Sequence, residues 1–173
     1  ARYPRDIEKD IELCQDANVD ILFTPEADEI IGTSALSYVN IEKLDQHLCG
    51  AKRPGHFRGV CTIVSKLFNI VQPQISFFGK KDIQQLKIIE QMVKDLNYSI
   101  KIVGMDTVRC NDGLALSSRN TYLNPEERKA AIIVPNVIDL ITQEVKNKME
   151  SRDKILKSAY NFLSKEPLAK IDY

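Results

Sequence analysis

Residues 74–108 read QISFFGKKDIQQLKIIEQMVKDLNYSIKIVGMDTV, and this stretch decides the fold. Gln74–Gly79 is a short apolar run ending in glycine, the pattern of a buried strand. Asp82–Asn97 then repeats Ile83, Leu86, Ile89, Met92, Val93 and Leu96 at helical spacing, which predicts an amphipathic helix with those side chains inward. Ser99–Val108 reads as a further strand. Strands separated by a helix of this length need a crossover, and crossovers join parallel neighbours.

Working outward, Phe57–Val71 carries Val60, Ile63, Val64, Leu67, Phe68 and Val71, the dense apolar pattern of a mostly buried helix. Val19–Pro25 (VDILFTP) reads as a buried strand, and a short strand is expected around Tyr38–Ile41. Asp6 is placed to cap a helix through Ile7, Ile11 and Cys14 that ends near Asn18. The alternation predicts an α/β fold with a parallel sheet covered on both faces. Ligands of such sheets bind beyond the carboxyl ends of the strands, and Gly79–Asp82 sits at one of those places.

The pattern changes after Arg109. Asn124-Pro125-Glu126-Glu127 is a helix start, with Asn124 as N-cap and Pro125 at the first helical position. The helix should run towards Met149, kinked or broken at Pro135. Ser151 opens another, bearing Ile155, Leu156, Ala159, Phe162 and Leu163. A boundary is therefore expected near Thr107–Asn120, dividing residues 1–107 from 108–173. The chain opens on a helix with no strand before it, and Ala169–Tyr173 reads as the first half of a strand. Both ends are expected to lie within a longer sequence.

Composition narrows the function. The chain has 173 residues, and Lys+Arg and Asp+Glu both number 24, so its formal net charge is zero. That balance argues against a nucleic-acid or membrane-surface binder, whose field should be basic. Hydrophobic content of 43% excludes disorder, and no apolar run approaches the roughly 20 residues of a transmembrane helix. The cysteines (Cys14, Cys49, Cys61, Cys110) form no CxxC pair and there are 2 histidines, so neither a zinc site nor a disulfide framework is expected. With no signal peptide, the reading is a soluble, reduced, cytoplasmic protein.

Three clusters have the chemistry to hold an anion. Lys52-Arg53-Pro54-Gly55-His56-Phe57-Arg58 leads into a helix, where side-chain charge adds to unpaired N–H groups; a solvated basic turn has the same composition. In Gly79-Lys80-Lys81-Asp82-Ile83-Gln84-Gln85, Lys81, Asp82 and Gln85 share one face of the helix start. A lysine there suits phosphate, a carboxylate suits ribose hydroxyls or a metal ion, and an amide suits a small polar substrate. A polar helix cap reads the same way. Asp112–Asn120 (DGLALSSRN) offers two hydroxyls and a guanidinium able to grip a triphosphate, or forms a plain turn. No Walker A loop and no nucleophile elbow occurs. Physics alone stops at a nucleotide or phosphate binder.

Three strings in order, CGAKRPGHFRGV (Cys49–Val60), NIVQPQISFFGKKDIQQL (Asn69–Leu86) and DGLALSSRNTYLNPEER (Asp112–Arg128), together with the opening RYPRDIEKDI, resemble the pantoate–β-alanine ligase family. The resemblance implies a Rossmann-like nucleotidyltransferase domain, similar to class I aminoacyl-tRNA synthetases, with residues 1–107 as part of it. Residues 108–173 would begin a smaller C-terminal lid domain. It also implies ATP as substrate with Mg²⁺, and pantoate and β-alanine as co-substrates joined through a pantoyl adenylate. A homodimer is implied as well. On matched positions, Gly79, Lys80, Lys81, Asp82, Val108, Leu116, Ser117, Ser118 and Arg119 would contact ATP, with Lys81 and Arg119 stabilising transition-state charge. Gln85 would bind pantoate, as would Arg53 and His56. Lys81 and the Ser118–Arg119 hook are expected to act on one triphosphate.

Three positions depart from the family, which usually has Glu at Lys80, Tyr at Ile83 and Met at Leu116. The family's HxGH string has no counterpart in these residues, so the chain alone is expected to be inactive. Two alternatives remain open at this point. One is a nucleotide-binding module without catalysis; the other is a nucleotidyltransferase that adenylates a different carboxylate.

Overall fold

A computed structural model of the protein describes residues 6–32, 34–147 and 151–173. The first residues of the opening string and the Met149 end of the predicted long helix lie outside them. The chain divides into two compact units, residues 6–106 and Thr107–Asp172. No helix among the described residues is long and apolar enough to cross a membrane.

In residues 6–106 the order is α1 (Ile7–Asp16), α2 (Ala27–Ile31), α3 (Leu48–Lys52), α4 (His56–Val71), β1 (Ile75–Gly79), α5 (Ile83–Asp95) and β2 (Lys101–Met105). The Asp6 carboxylate caps α1, accepting from the Lys9 N–H at 3.2 Å. A 3₁₀ turn over Lys80–Asp82 joins β1 to α5. As the spacing requires, β1 and β2 are parallel, with Ile75 opposite Lys101 and Gly79 opposite Met105.

The core is the seam between α4 and α5. Cys61, Ile88, Ile89 and Met92 are fully buried, and Phe57 and Phe68 nearly so. Phe68 meets Phe78 of β1 and Tyr98 edge-on, with centroids 6.5 Å and 5.7 Å apart. Burial, with a smaller contribution from the Asp45 charge, pushes the Cys61 thiol up to about 11. It is therefore a core residue with little thiolate.

Several expectations need correction. Val19–Pro25 and Tyr38–Ile41 are not strands; Ile21 is 84% exposed. Apolar character does not make a strand without a ladder partner. The Val39 N–H instead donates to Thr62 Oγ1 at 3.0 Å. Helices cover only one face of the two-stranded sheet among the described residues. On the other face Phe77 is 63% exposed. Along α5, Ile88 is buried while Ile83 is half-exposed, because the buried arc runs through Leu86, Ile88, Ile89 and Met92 and leaves Ile83 at its edge. Leu96 is the C-cap residue, past the last buried turn.

In Thr107–Asp172 the helices are α6 (Pro125–Ala130), α7 (Ile133–Lys146) and α8 (Arg152–Leu163). The predicted capping box forms. Asn124 Oδ1 accepts from the Glu126 and Glu127 N–H groups at 2.9 Å each, and Glu127 Oε2 accepts from the Asn124 N–H at 2.9 Å. The chain breaks at Ala131–Ile132, ahead of Pro135. Pro135 is the third residue of α7, where a missing N–H deprives the helix of no bond. Val137 and Ala159 are buried in this unit, and Ser158 Oγ donates to Glu144 Oε1 at 2.7 Å to join α8 to α7. Ala169–Tyr173 forms no strand pairing.

Two glycines test this packing in opposite directions. A Cβ at buried Gly50 would overlap the Asp45 carbonyl, whereas at Gly59, inside α4, it would meet nothing within 4 Å. Gly50→Ala is expected to cost about 1–3 kcal/mol in urea unfolding. Gly59→Ala should stabilise by roughly 0.5–1 kcal/mol.

Candidate functional site

β1 delivers the chain to Gly79 at its carboxyl end. The Gly79 backbone is ordinary extended chain, with φ −74° and ψ 132°, and a Cβ there would meet nothing within 4 Å. The fold therefore has no need of glycine at this position. What glycine does is leave the main chain bare where ligands of parallel sheets approach.

The two lysines that follow behave differently. Lys80 Nζ donates to Asp106 Oδ1 at 2.6 Å, and that bond, with the lysine charge, holds the Asp106 carboxyl below its ordinary range. Lys81 Nζ lies 4.0 Å from Asp82 Oδ2, the outer limit of an ion pair, with side chains 41% and 66% exposed. Gln85 is half-buried near the start of α5, and its amide makes no hydrogen bond among the described residues. Its neighbour Gln84 donates through Nε2 to the carbonyls of Leu44 at 2.9 Å and His47 at 2.7 Å. Gln84 thus ties the segment leading into α3 to the start of α5. The sequence reading gave it no role; its only signal was the doubled glutamine, with one member off the apolar stripe.

The basic cluster before α4 separates into individual contacts. Gly55, at φ +78°, takes the left-handed N-cap that starts the helix at His56. Arg53 Nη1 lies 3.2 Å from His56 Nε2, a bond in which the arginine donates when the histidine proton sits on Nδ1. Arg58 stacks on Tyr38, 3.9 Å from the ring centroid.

Val108 and Leu116–Arg119 lie in the second unit. Residues 108–116 form a tight hairpin, in which the Leu116 N–H donates to the Val108 carbonyl at 2.9 Å and Cys110 N–H to Leu114 at 2.8 Å. Gly113 turns it at φ +86°. Asp112 braces the turn, accepting from the Leu114 N–H at 3.2 Å and pairing with Arg128 Nη2 at 2.7 Å. The Arg128 bond, then the Leu114 N–H, hold the Asp112 carboxyl below its ordinary range. Ser117 Oγ accepts from the Arg119 N–H at 3.3 Å and caps a 3₁₀ turn over Ser118–Tyr122. Asn120 Nδ2 reaches back to the Ala115 carbonyl at 3.1 Å. Ser118 and Arg119 are thereby presented at the surface on a loop held by its own bonds.

A parallel crossover with a bare glycine and a lysine at the first strand's carboxyl end is part of a Rossmann-like nucleotidyltransferase fold. The family model described as Pantoate-beta-alanine ligase matches residues 1–173. Pantothenate synthetase of Clostridium acetobutylicum is 50% identical over 171 residues, which is 99% of this chain and 61% of that protein. Pantothenate synthetase from Thermus thermophilus superposes with TM-score 0.93 at 44% identity, covering 99% of this chain and 62% of that one. Pantoate-beta-alanine ligase from Francisella tularensis, solved in complex with beta-gamma ATP and beta-alanine, gives TM-score 0.75 at 30% identity, covering 93% and 60%. The chain belongs to the pantoate–β-alanine ligase family, and it spans about three-fifths of the length of these relatives.

The Asp112–Arg128 brace has a defined pH signature. A carboxyl whose folded pKa is depressed stabilises the fold fully above its unfolded value of about 3.9, and that contribution is lost as pH falls through the lower folded value. Asp112→Asn should therefore lower stability at neutral pH. Urea unfolding across the acid range should show wild type and variant converging below about pH 4.

Proposed function

We propose that the chain contributes the ATP-handling part of a pantoate–β-alanine ligase. In this reading a pantoate carboxylate oxygen attacks the α-phosphorus of magnesium-ATP and pyrophosphate leaves, giving pantoyl adenylate. The β-alanine amine then attacks the activated carbonyl, AMP departs with the bonding electrons, and the nitrogen loses a proton as pantothenate forms. The observation that carries it is Gly79, a glycine the fold does not require, standing at a parallel strand's carboxyl end immediately before Lys80-Lys81-Asp82.

Lys81 is assigned to phosphate, Asp82 to the ribose, Gln85 to pantoate, and Arg53 and His56 to the pantoate and β-alanine side. Val108 would meet adenine through its backbone, while Leu116, Ser117, Ser118 and Arg119 clamp the phosphates. Attack by one anion on another needs cations to neutralise the charge that develops on phosphate, and this is the part given to Lys81 and Arg119. Among the described residues no group of three or more His, Cys, Asp or Glu side chains is arranged to hold a metal ion. Mg²⁺ enters this reading with the nucleotide, and no residue of the chain is assigned to it. A cytoplasmic homodimer is part of the same reading.

Supplied with pantoate, β-alanine and magnesium-ATP, these 173 residues by themselves are expected to release no pantothenate above background, because they contain no His-x-Gly-His string. Turnover by the chain alone would overturn that part. ATP binding should persist, and calorimetry should find it weakened roughly tenfold or more by Lys81→Ala, the loss of one charge-assisted contact. Gly79→Ala should weaken ATP binding while leaving the urea midpoint in place. Binding indifferent to both changes would remove the assignment of this site.

A further inference from the structure

Lys80 and Asp106 meet where the two strands of the sheet end. Gly79 pairs with Met105 across the sheet, so Asp106 follows β2 directly beside the point where β1 ends. Its carboxylate is 89% exposed. Lys80 reaches it by crossing β2: a Cβ on Gly104 would stand 3.6 Å from Lys80 Cγ and 3.5 Å from Lys80 Cε. These are ordinary contact distances, so the lysine stem lies against β2 beside Gly104, and the side chain that needs glycine at 104 is Leu86, whose Cδ2 would stand 2.9 Å from a Cβ there. The stem ends in the 2.6 Å contact with Asp106 Oδ1. Lys80 therefore directs its charge to Asp106, whereas Lys81 has only the 4.0 Å contact with Asp82.

An unscreened carboxylate at this sheet edge would repel the triphosphate assigned to Gly79 and Lys81. We infer that Lys80 is a positioning residue that compensates Asp106, acting on the nucleotide through that carboxylate and not as a phosphate ligand. The inference rests on the ATP site proposed above.

The test is a double-mutant cycle on the intact chain, with affinities for ATP and for uncharged adenosine measured by calorimetry. Lys80→Met should weaken ATP binding by about threefold, the size expected of an exposed charge uncovered near an anion, and less at high salt. Lys80→Met/Asp106→Asn should recover wild-type ATP affinity, and adenosine binding should be unchanged throughout. A direct phosphate ligand predicts the contrary, since the double variant would stay as weak as Lys80→Met; that result overturns the inference. Equal losses for ATP and adenosine would reduce Lys80 to a structural part and overturn it as well. If Lys81→Ala does not affect ATP binding, the site assignment itself fails and takes the inference with it. If Lys81→Ala weakens binding but Asp106→Asn brings no rescue, only the inference fails. Asp106→Ala gives a second route should the asparagine variant fold poorly.

Discussion

A two-stranded parallel sheet does not persist alone in water, so everything at the end of β1 depends on the seam between α4 and α5. Phe68, Ile88, Ile89, Met92 and Cys61 fill it, each large side chain contributing on the order of 1.5–3 kcal/mol on burial. Ser65 Oγ reaches Met92 Sδ at 3.2 Å within the same seam. Because only three residues separate Gly79 from the start of α5, fixing its buried arc also fixes the direction in which the intervening turn leaves the sheet. The placement of Lys81 and Gln85, proposed for phosphate and pantoate, is thus inherited from the packing of Leu86, Ile89 and Met92 on α5.

The second constraint is electrostatic. A protein with no net charge can still present a local cationic site where a cation is left without a close counter-charge. Lys80 is held by Asp106, Arg128 by Asp112, and Arg58 by the ring of Tyr38. Counting cations along the strings overstates the field at each. The partner of each cation decides whether its charge reaches a ligand, and the contact of Lys81 with Asp82 is the loosest of this group.

What the sequence disclosed and what it withheld divide along the range of the interactions. Asp6, Asn124 and the Pro135 break are local signals, written within four residues of where they act, and the helices appear as expected. The 74–108 crossover was legible because the helical period of residues 82–97 is itself local and forces the two flanking apolar runs to lie parallel. Val19–Pro25 was not, because a strand is defined by a partner elsewhere in the chain, and apolar composition says nothing about whether one is present. Ile88 shows the same limit on a smaller scale: two neighbours, α4 and the sheet, widen the buried arc of α5 beyond a single stripe. At the site, Gly79–Asp82 stood out as a string. Gln84 and Asp106 did not, since their roles arise from contacts spanning about 40 and 26 residues of sequence.

The glycines allow a last step. Of the 7 in the chain, Gly32, Gly55 and Gly113 occupy positive φ, Gly50 lies against the Asp45 carbonyl, and Gly104 lies under Leu86 and Lys80. The fold explains all five. Gly59 and Gly79 have ordinary backbones and open space around them, so folding alone would accept alanine at either. Gly59 even costs helix stability where it stands. Both fall inside strings assigned to ligand, one beside Arg53 and His56 and the other beside Lys81. Packing is therefore silent at both positions, so the case for Gly79 stands on the proposed nucleotide alone and a loss of binding without a loss of stability is what separates the two.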